Sequence, residues 1–102
     1  IRLLDERGQT VTNHSYFPVL IEGSYQLSRD GLYQRLKDHD IYARRYFYPL
    51  ISDFPMYGEL DSAKSENLEV ATKVAEKVLC LPIYPALKNN ELEKIVSIIR
   101  EA

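Results

Sequence analysis

Ile41-Tyr42-Ala43-Arg44-Arg45-Tyr46-Phe47-Tyr48-Pro49-Leu50 is the stretch on which the reading of this chain turns. β-Branched and aromatic residues crowd it, which predicts a strand over 41–48. Pro49 ends that strand because proline has no N–H to give to a ladder. Residues 49–66 then show no clear periodicity, yet they carry Leu50, Ile51, Phe54, Met56 and Tyr57. A loop of that length inside a small domain is either disordered or functional, and its apolar content argues against disorder. The expectation is a loop that docks against something.

Upstream, His14-Ser15-Tyr16-Phe17-Pro18-Val19-Leu20-Ile21 predicts a first strand, apolar enough to be covered on both faces, with Pro18 suggesting an edge or a bulge. Glu22-Gly23 ends it. Ser28 is placed to cap a helix running to about Asp38, with Leu32, Tyr33 and Leu36 on one face. His39-Asp40 turns the chain into the 41–48 strand. Downstream, Asn67 is the expected cap of a second helix whose stripe is Leu68, Ala71, Val74, Ala75 and Val78. Val78-Leu79-Cys80-Leu81 is a short buried strand closed by Pro82, and 83–87 is an extended connection set by its prolines. Asn89 or Asn90 caps a last helix in which Leu92, Ile95, Val96 and Ile99 fall at i, i+3, i+4 and i+7. Glu91 and Glu93 lie in its first turn and Arg100 in its last, as the helix dipole favours.

The opening Ile1-Arg2-Leu3-Leu4-Asp5-Glu6-Arg7 looks like the tail of a helix that lacks a start signal, so the chain is expected to be a domain cut from a larger protein. The predicted order is strand, helix, strand, long loop, helix, strand, helix. That alternation gives an α+β fold: one domain over 1–102, a two-layer sandwich in which a three-stranded sheet is packed on one face by helices.

With 102 residues, 13 basic and 15 acidic, the net charge is −2, so bulk charge selects neither nucleic acid nor an anionic membrane. The single cysteine, Cys80, excludes an internal disulfide framework and is expected to be a buried thiol. No segment reaches the roughly 18 uninterrupted apolar residues of a membrane span, and no signal peptide opens the chain. A cytoplasmic location is expected.

The catalytic inventory is thin. His14 and His39 lack the partners of a triad or metal site. Asp38 and Asp40 look like a polar turn, and the four glycines are scattered rather than gathered into a phosphate loop. The lysines have polar neighbours, unlike a Schiff-base lysine whose pKa is lowered by its surroundings. Arg44-Arg45 beside Tyr46-Phe47-Tyr48 is the exception. Alternation along a strand would put Arg44, Tyr46 and Tyr48 on one polar-aromatic face and Arg45 with Phe47 on the other. That face could pair an anion. It equally suits solvated arginines beside half-buried tyrosines, or an RNA-binding sheet, against which the negative charge weighs.

Three stretches carry a resemblance. They are the 41–50 run followed by Phe54-Pro55-Met56-Tyr57, then Ala71 to Ala75 leading to Val78-Leu79-Cys80-Leu81-Pro82-Ile83-Tyr84-Pro85-Ala86-Leu87, then the helix with Glu91-Leu92-Glu93-Lys94-Ile95-Val96. In this order they resemble the C-terminal small domain of the DegT/DnrJ/EryC1/StrS aminotransferases, over roughly 15–102. The resemblance implies pyridoxal phosphate in the full-length enzyme, with none bound to this fragment, and amino transfer from glutamate to a keto sugar nucleotide such as a dTDP-4-keto-6-deoxyhexose. It also implies a missing N-terminal large domain holding the Schiff-base lysine, a fragment inactive by itself, and a homodimer in the full enzyme. Arg45, Tyr46 and Tyr48 are carried over as candidates for sugar or phosphate contact, and Arg44 is added from the strand-face argument. Many relatives place a histidine in or just after this segment, where this chain has Tyr46, Phe47, Tyr48 and Ile51. A free-standing α/β binding module is the alternative.

Overall fold

Helix α1, Arg29–Asp38, forms where the sequence places it, and its start shows why. Ser28 is extended and its Oγ accepts the Gly31 N–H at 3.1 Å, satisfying one of the donors a helix start leaves without a partner. Leu32 and Leu36, one turn apart, are completely buried. Helix α2, Glu69–Lys77, runs straight into a strand, and helix α3, Asn89–Glu101, closes the chain. The computed structural model describes residues 1–5, 8, 13–46 and 48–101.

The sheet has three antiparallel strands, β1 (Arg2–Leu3), β2 (Phe17–Leu20) and β3 (Val78–Leu81), in that spatial order. Arg2 pairs Leu20 and Leu3 pairs Val19, while Val19 faces Leu79 across the second ladder. Val19 and Leu79 share the face covered by α1 and α3, where Ile21, Leu32, Leu36, Ala43 and Ile98 complete the core. The expected α+β arrangement of a three-stranded sheet packed by helices therefore holds.

Its strands are not all the expected ones. The opening is not a helix tail: Arg2–Leu3 is the third strand, while Glu6 and Arg7 lie outside the described residues. The 41–48 run contributes no full strand. Arg44 makes a single antiparallel bridge to Cys80, with N–H···O contacts of 2.9 and 2.7 Å, and Phe47 lies outside the described residues. Pro18 sits in the central strand rather than at an edge. The position is tolerable because the β1 ladder ends at Leu3 opposite Val19, before the missing Pro18 N–H would be required.

Residues 49–67 are organised as three single turns of 3-10 helix, Ile51–Asp53, Asp61–Ala63 and Ser65–Asn67, on an arm that exposes Ile51, Met56, Tyr57 and Leu60 while Leu50 and Phe54 are half-buried. Asn67 does not cap α2. Leu68 occupies that position without a side-chain bond, and Asn67 Nδ2 instead donates to the Asp61 carbonyl at 2.7 Å. Of the predicted stripe on α2 only Ala75 is buried, with Val78 following in β3, while Ala71 stays exposed and Val74 only borders a depression shared with Leu20 and Tyr46. At α3, Asn89 is already helical, and the Glu91 carboxylate accepts the Lys88 N–H at 2.9 Å. The buried side of α3 is Ile95 and Ile98, leaving Leu92 and Val96 exposed. The radius of gyration is 15.6 Å, against roughly 13 Å for a compact chain of this length.

Candidate functional site

The arginine-tyrosine segment turns at Tyr46 and reaches the cis Tyr48-Pro49 bond. This path replaces strand alternation with a different sorting of side chains. Arg45 and Tyr48, expected on opposite faces, come together: the Arg45 guanidinium lies 5.1 Å from the centre of the Tyr48 ring and 5.1 Å from that of Tyr33 on α1. Arg45 Nη1 also approaches Asp30 Oδ1 at 3.5 Å. Tyr46, expected beside Tyr48, instead packs edge-on against Tyr16 with ring centres 5.1 Å apart. Arg44 bridges to Cys80 at the edge of β3 and lines a shallow depression with Tyr16, Tyr42 and Tyr84. The four candidates thus divide into an Arg45–Tyr48 pair and two separate positions.

A residue that the sequence reading passed over completes the pair. Arg29, first in α1, is 4 % exposed, and its guanidinium stands 4.6 Å above the Tyr48 ring. Its Nη1 donates to the carbonyls of Ala75 at 2.6 Å and Val78 at 3.3 Å, and its Nε donates to Asp30 Oδ1 at 2.8 Å. Burying a guanidinium is costly unless its donors are used, and here two carbonyls, a carboxylate and an aromatic face use them. Arg29, Asp30, Tyr33, Arg45 and Tyr48 form one cluster in which two cations share one carboxylate, so these five side chains carry net positive charge. Asp30, Arg45 and Tyr48 are its exposed members, so the shared carboxylate faces solvent beside the Arg45 guanidinium. The Arg45 guanidinium, near both the Tyr33 and Tyr48 rings and with one nitrogen facing Asp30, is a planar fork of the kind suited to carboxylate or phosphate. The sequence signal that could have found Arg29 was weak: an arginine directly after an N-cap, where a helix end disfavours positive charge, and so in need of partners elsewhere.

Other side chains have structural roles. His39 ends α1, with its Nδ1 2.9 Å from the Arg35 carbonyl. Cys80 is a buried thiol, as expected, and burial pushes its pKa up. Burial also raises Tyr25, partly offset by the charge of Arg35, and the Tyr25 hydroxyl donates to the Ile99 carbonyl at 2.8 Å. Among the described residues no cluster of three or more His, Cys, Asp or Glu could hold a metal, and no helix is long and apolar enough to cross a membrane. Lys37, Lys64, Lys73, Lys77, Lys88 and Lys94 are all exposed. Lys64 pairs Asp61, Lys77 pairs Glu22, and Lys94 donates to the His39 carbonyl. A Schiff-base lysine must be desolvated or set beside another cation to lose its proton near neutrality. These surroundings supply neither, so the residues of this chain do not by themselves make a site for pyridoxal phosphate.

The sequence model of the DegT/DnrJ/EryC1/StrS aminotransferase family matches residues 3–100. The chain is 50 % identical over 90 residues to a dTDP-4-amino-4,6-dideoxy-D-glucose transaminase of Escherichia coli, covering 88 % of this chain and 24 % of that protein. It is 47 % identical over 101 residues to a protein of the same description from Shigella dysenteriae, covering 99 % of this chain and 27 % of the relative. A GDP-perosamine synthase of Vibrio cholerae is 29 % identical over 91 residues, covering 87 % of this chain and 24 % of that protein. The chain therefore spans about a quarter of the length of the curated relatives it matches. No solved structure matches it.

Proposed function

The chain belongs to the DegT/DnrJ/EryC1/StrS aminotransferase family, and from that premise we propose that it is the C-terminal small domain of a pyridoxal-phosphate-dependent transaminase that moves an amino group, from glutamate, onto a dTDP-linked keto sugar. The observation that carries the reading is the 50 % identity to a relative described as acting in dTDP-4-amino-4,6-dideoxy-D-glucose chemistry, against 29 % to one that makes a GDP-linked product. The large domain, outside these residues, would hold the cofactor, whose electron-sink chemistry is the cofactor's own. The work left to this chain is binding and orientation: Arg45 and Tyr48 would meet the anionic, nucleotide-bearing part of the substrate. Tyr46 and Arg44, on other surfaces, would line the approach.

The exposed apolar arm supports the same reading. Ile51, Met56 and Leu60 on the arm, with Val70 on α2, are exposed and have no partner layer among the described residues. Monomeric proteins rarely leave so many neighbouring apolar side chains in water. A large domain and the second subunit of a homodimer would cover them, whereas a free-standing binding module would have to bear them exposed. A cytoplasmic enzyme is the setting this chemistry implies.

The test uses the full-length protein with pyridoxal phosphate, glutamate and a dTDP-linked 4-keto-6-deoxyhexose, following 2-oxoglutarate. Turnover at a kcat/KM at least about tenfold above that for a GDP-linked 4-keto sugar is expected, a ratio worth about 1.4 kcal/mol of discrimination. Equal use of the two nucleotides would sink the substrate assignment, and no amino transfer to either would sink the proposal. The 102-residue chain assayed separately should give no turnover.

A further inference from the structure

Arg29 touches three separate parts of the chain at once: its own helix start, the junction of α2 and β3, and the 45–48 segment. Its contacts with the Ala75 and Val78 carbonyls satisfy acceptors where α2 gives way to β3, a structural task that any well-placed donor could perform. Two further contacts have no bearing on that junction. The guanidinium carbon lies 4.6 Å from the centre of the Tyr48 ring, and Nε holds the Asp30 carboxylate, whose Oδ1 is the same atom that approaches Arg45. Arg29 is therefore joined to each member of the Arg45–Tyr48 pair, to Tyr48 directly and to Arg45 through the solvent-facing Asp30 carboxylate. Neither member lies in a regular element that would fix it, since the segment makes one bridge and then leaves the sheet. Rigid presentation has to come from side-chain contacts, and the buried guanidinium supplies them.

We propose that Arg29 is a positioning residue that holds Arg45 and Tyr48 in the geometry required to bind the diphosphate of the nucleotide sugar. This rests on the reading of Arg45 and Tyr48 as substrate contacts. A lysine at position 29 would keep the charge but not the fork: one ammonium cannot lie under the ring, reach the Ala75 carbonyl and hold Asp30 together. The Asp30 carboxylate would then be free to pair more closely with Arg45 and compete with the incoming phosphate.

The experiment measures binding of dTDP to the full-length protein by calorimetry for Arg29→Lys, Arg45→Met, the double variant and Ser28→Ala, with thermal midpoints recorded for each. Arg45→Met should weaken dTDP about tenfold or more, the loss expected of a charge-assisted phosphate contact. Arg29→Lys should weaken it about three- to tenfold. In the Arg45→Met background the same change should cost less than about twofold, because residues acting through one contact are not additive. Ser28→Ala loosens the same helix start without touching the 45–48 segment, and dTDP affinity should stay within about twofold of the parent. Wild-type affinity in Arg29→Lys overturns the proposal, as does a double variant whose loss is the product of the two single losses, or a Ser28→Ala loss equal to that of Arg29→Lys. If Arg45→Met binds dTDP like the parent, the site reading fails first and the positioning role falls with it. Should Arg29→Lys not fold, Arg29→Gln keeps an amide donor for the Ala75 carbonyl but no cation for Tyr48, and the same cycle decides.

Discussion

The two sides of this molecule are built from similar sequence and end in opposite states. On one side of the sheet Val19, Leu79, Leu32, Leu36 and Ile98 meet from two strands and two helices, and Leu32, Leu36 and Leu79 have no exposed surface left. Along the arm and α2 the apolar residues are as numerous, yet Met56 is 72 % exposed and Val70 76 %. Apolar side chains are thus present both where a partner layer lies in the same chain and where none covers them among the described residues. The pattern says that a face will be covered, not by what. The closed side holds the buried core of the chain, and the open side is where the proposed larger protein would dock.

The sharpest way to break that contrast is to empty the closed side. Leu36→Ala in the 102-residue chain removes a completely buried side chain between α1 and the sheet, and should cost about 2–5 kcal/mol in chemical denaturation. A loss under about 1 kcal/mol would mean that this core is not what holds the fold. Ser28→Ala, at the helix start of the same layer, gives up a single capping bond and should cost about 1 kcal/mol. That difference sharpens the comparison, because both residues serve α1 but one acts through buried volume and the other through one satisfied donor.

How far the sequence spoke follows the same division. Ser28, Leu32 and Leu36 announced α1 because an N-cap and a helical stripe are local signals, and Val78-Leu79-Cys80-Leu81 announced β3 because a short apolar run closed by proline has few other uses. The 41–48 run was misread for the converse reason. Its β-preferring residues describe a half-buried pleated surface, but whether a ladder forms depends on a neighbour with free edge groups, and β3 offers it one bridge at Cys80. The place of β1 was hidden as well, since a two-residue strand leaves no periodicity to detect. At the candidate site, the sequence singled out Arg45 and Tyr48 but not as a pair, because alternation was assumed through a turn. Arg29 was not legible at all: its partners Ala75, Val78 and Tyr48 are 46, 49 and 19 residues away along the chain.

A smaller effect separates a sealed interior from a merely covered one. Cys80, in β3, is 5 % exposed, and burial raises its thiol pKa. In the unfolded chain that proton leaves near pH ~8.5, whereas in the folded chain it leaves only at higher pH. Between those two values the unfolded state binds fewer protons, so stability is fully present below about pH 8.5 and falls as pH rises toward the folded pKa. Tyr25 acts in the same direction from about pH 10 upward. Denaturation midpoints taken from pH 7 to 10 should decline, and Cys80→Ala should remove the part of the slope that begins near pH 8.5. The native thiol should react slowly with disulfide reagents at pH 7. Fast reaction, or an unchanged slope in the variant, would show that β3 is open to solvent.

The smallest expected effect carries the most information about the open side. Val70→Ser on α2 replaces a side chain that is 76 % exposed, so in the 102-residue chain little apolar area changes its contact with water and the loss should stay within about 0.5 kcal/mol. If the arm and α2 are the seat of a missing layer, the same substitution in the full-length protein buries a hydroxyl where a valine had packed. The cost there should rise to about 1–3 kcal/mol, read as a lower thermal midpoint or as subunits separating at higher concentration. Equal and negligible effects in both settings would mean that the apolar face of α2 stays in water in the whole protein, and the distinction between a closed half and a docking half would lose its basis. A large effect in the short chain would contradict it from the other direction, by showing that Val70 already has a partner among these residues.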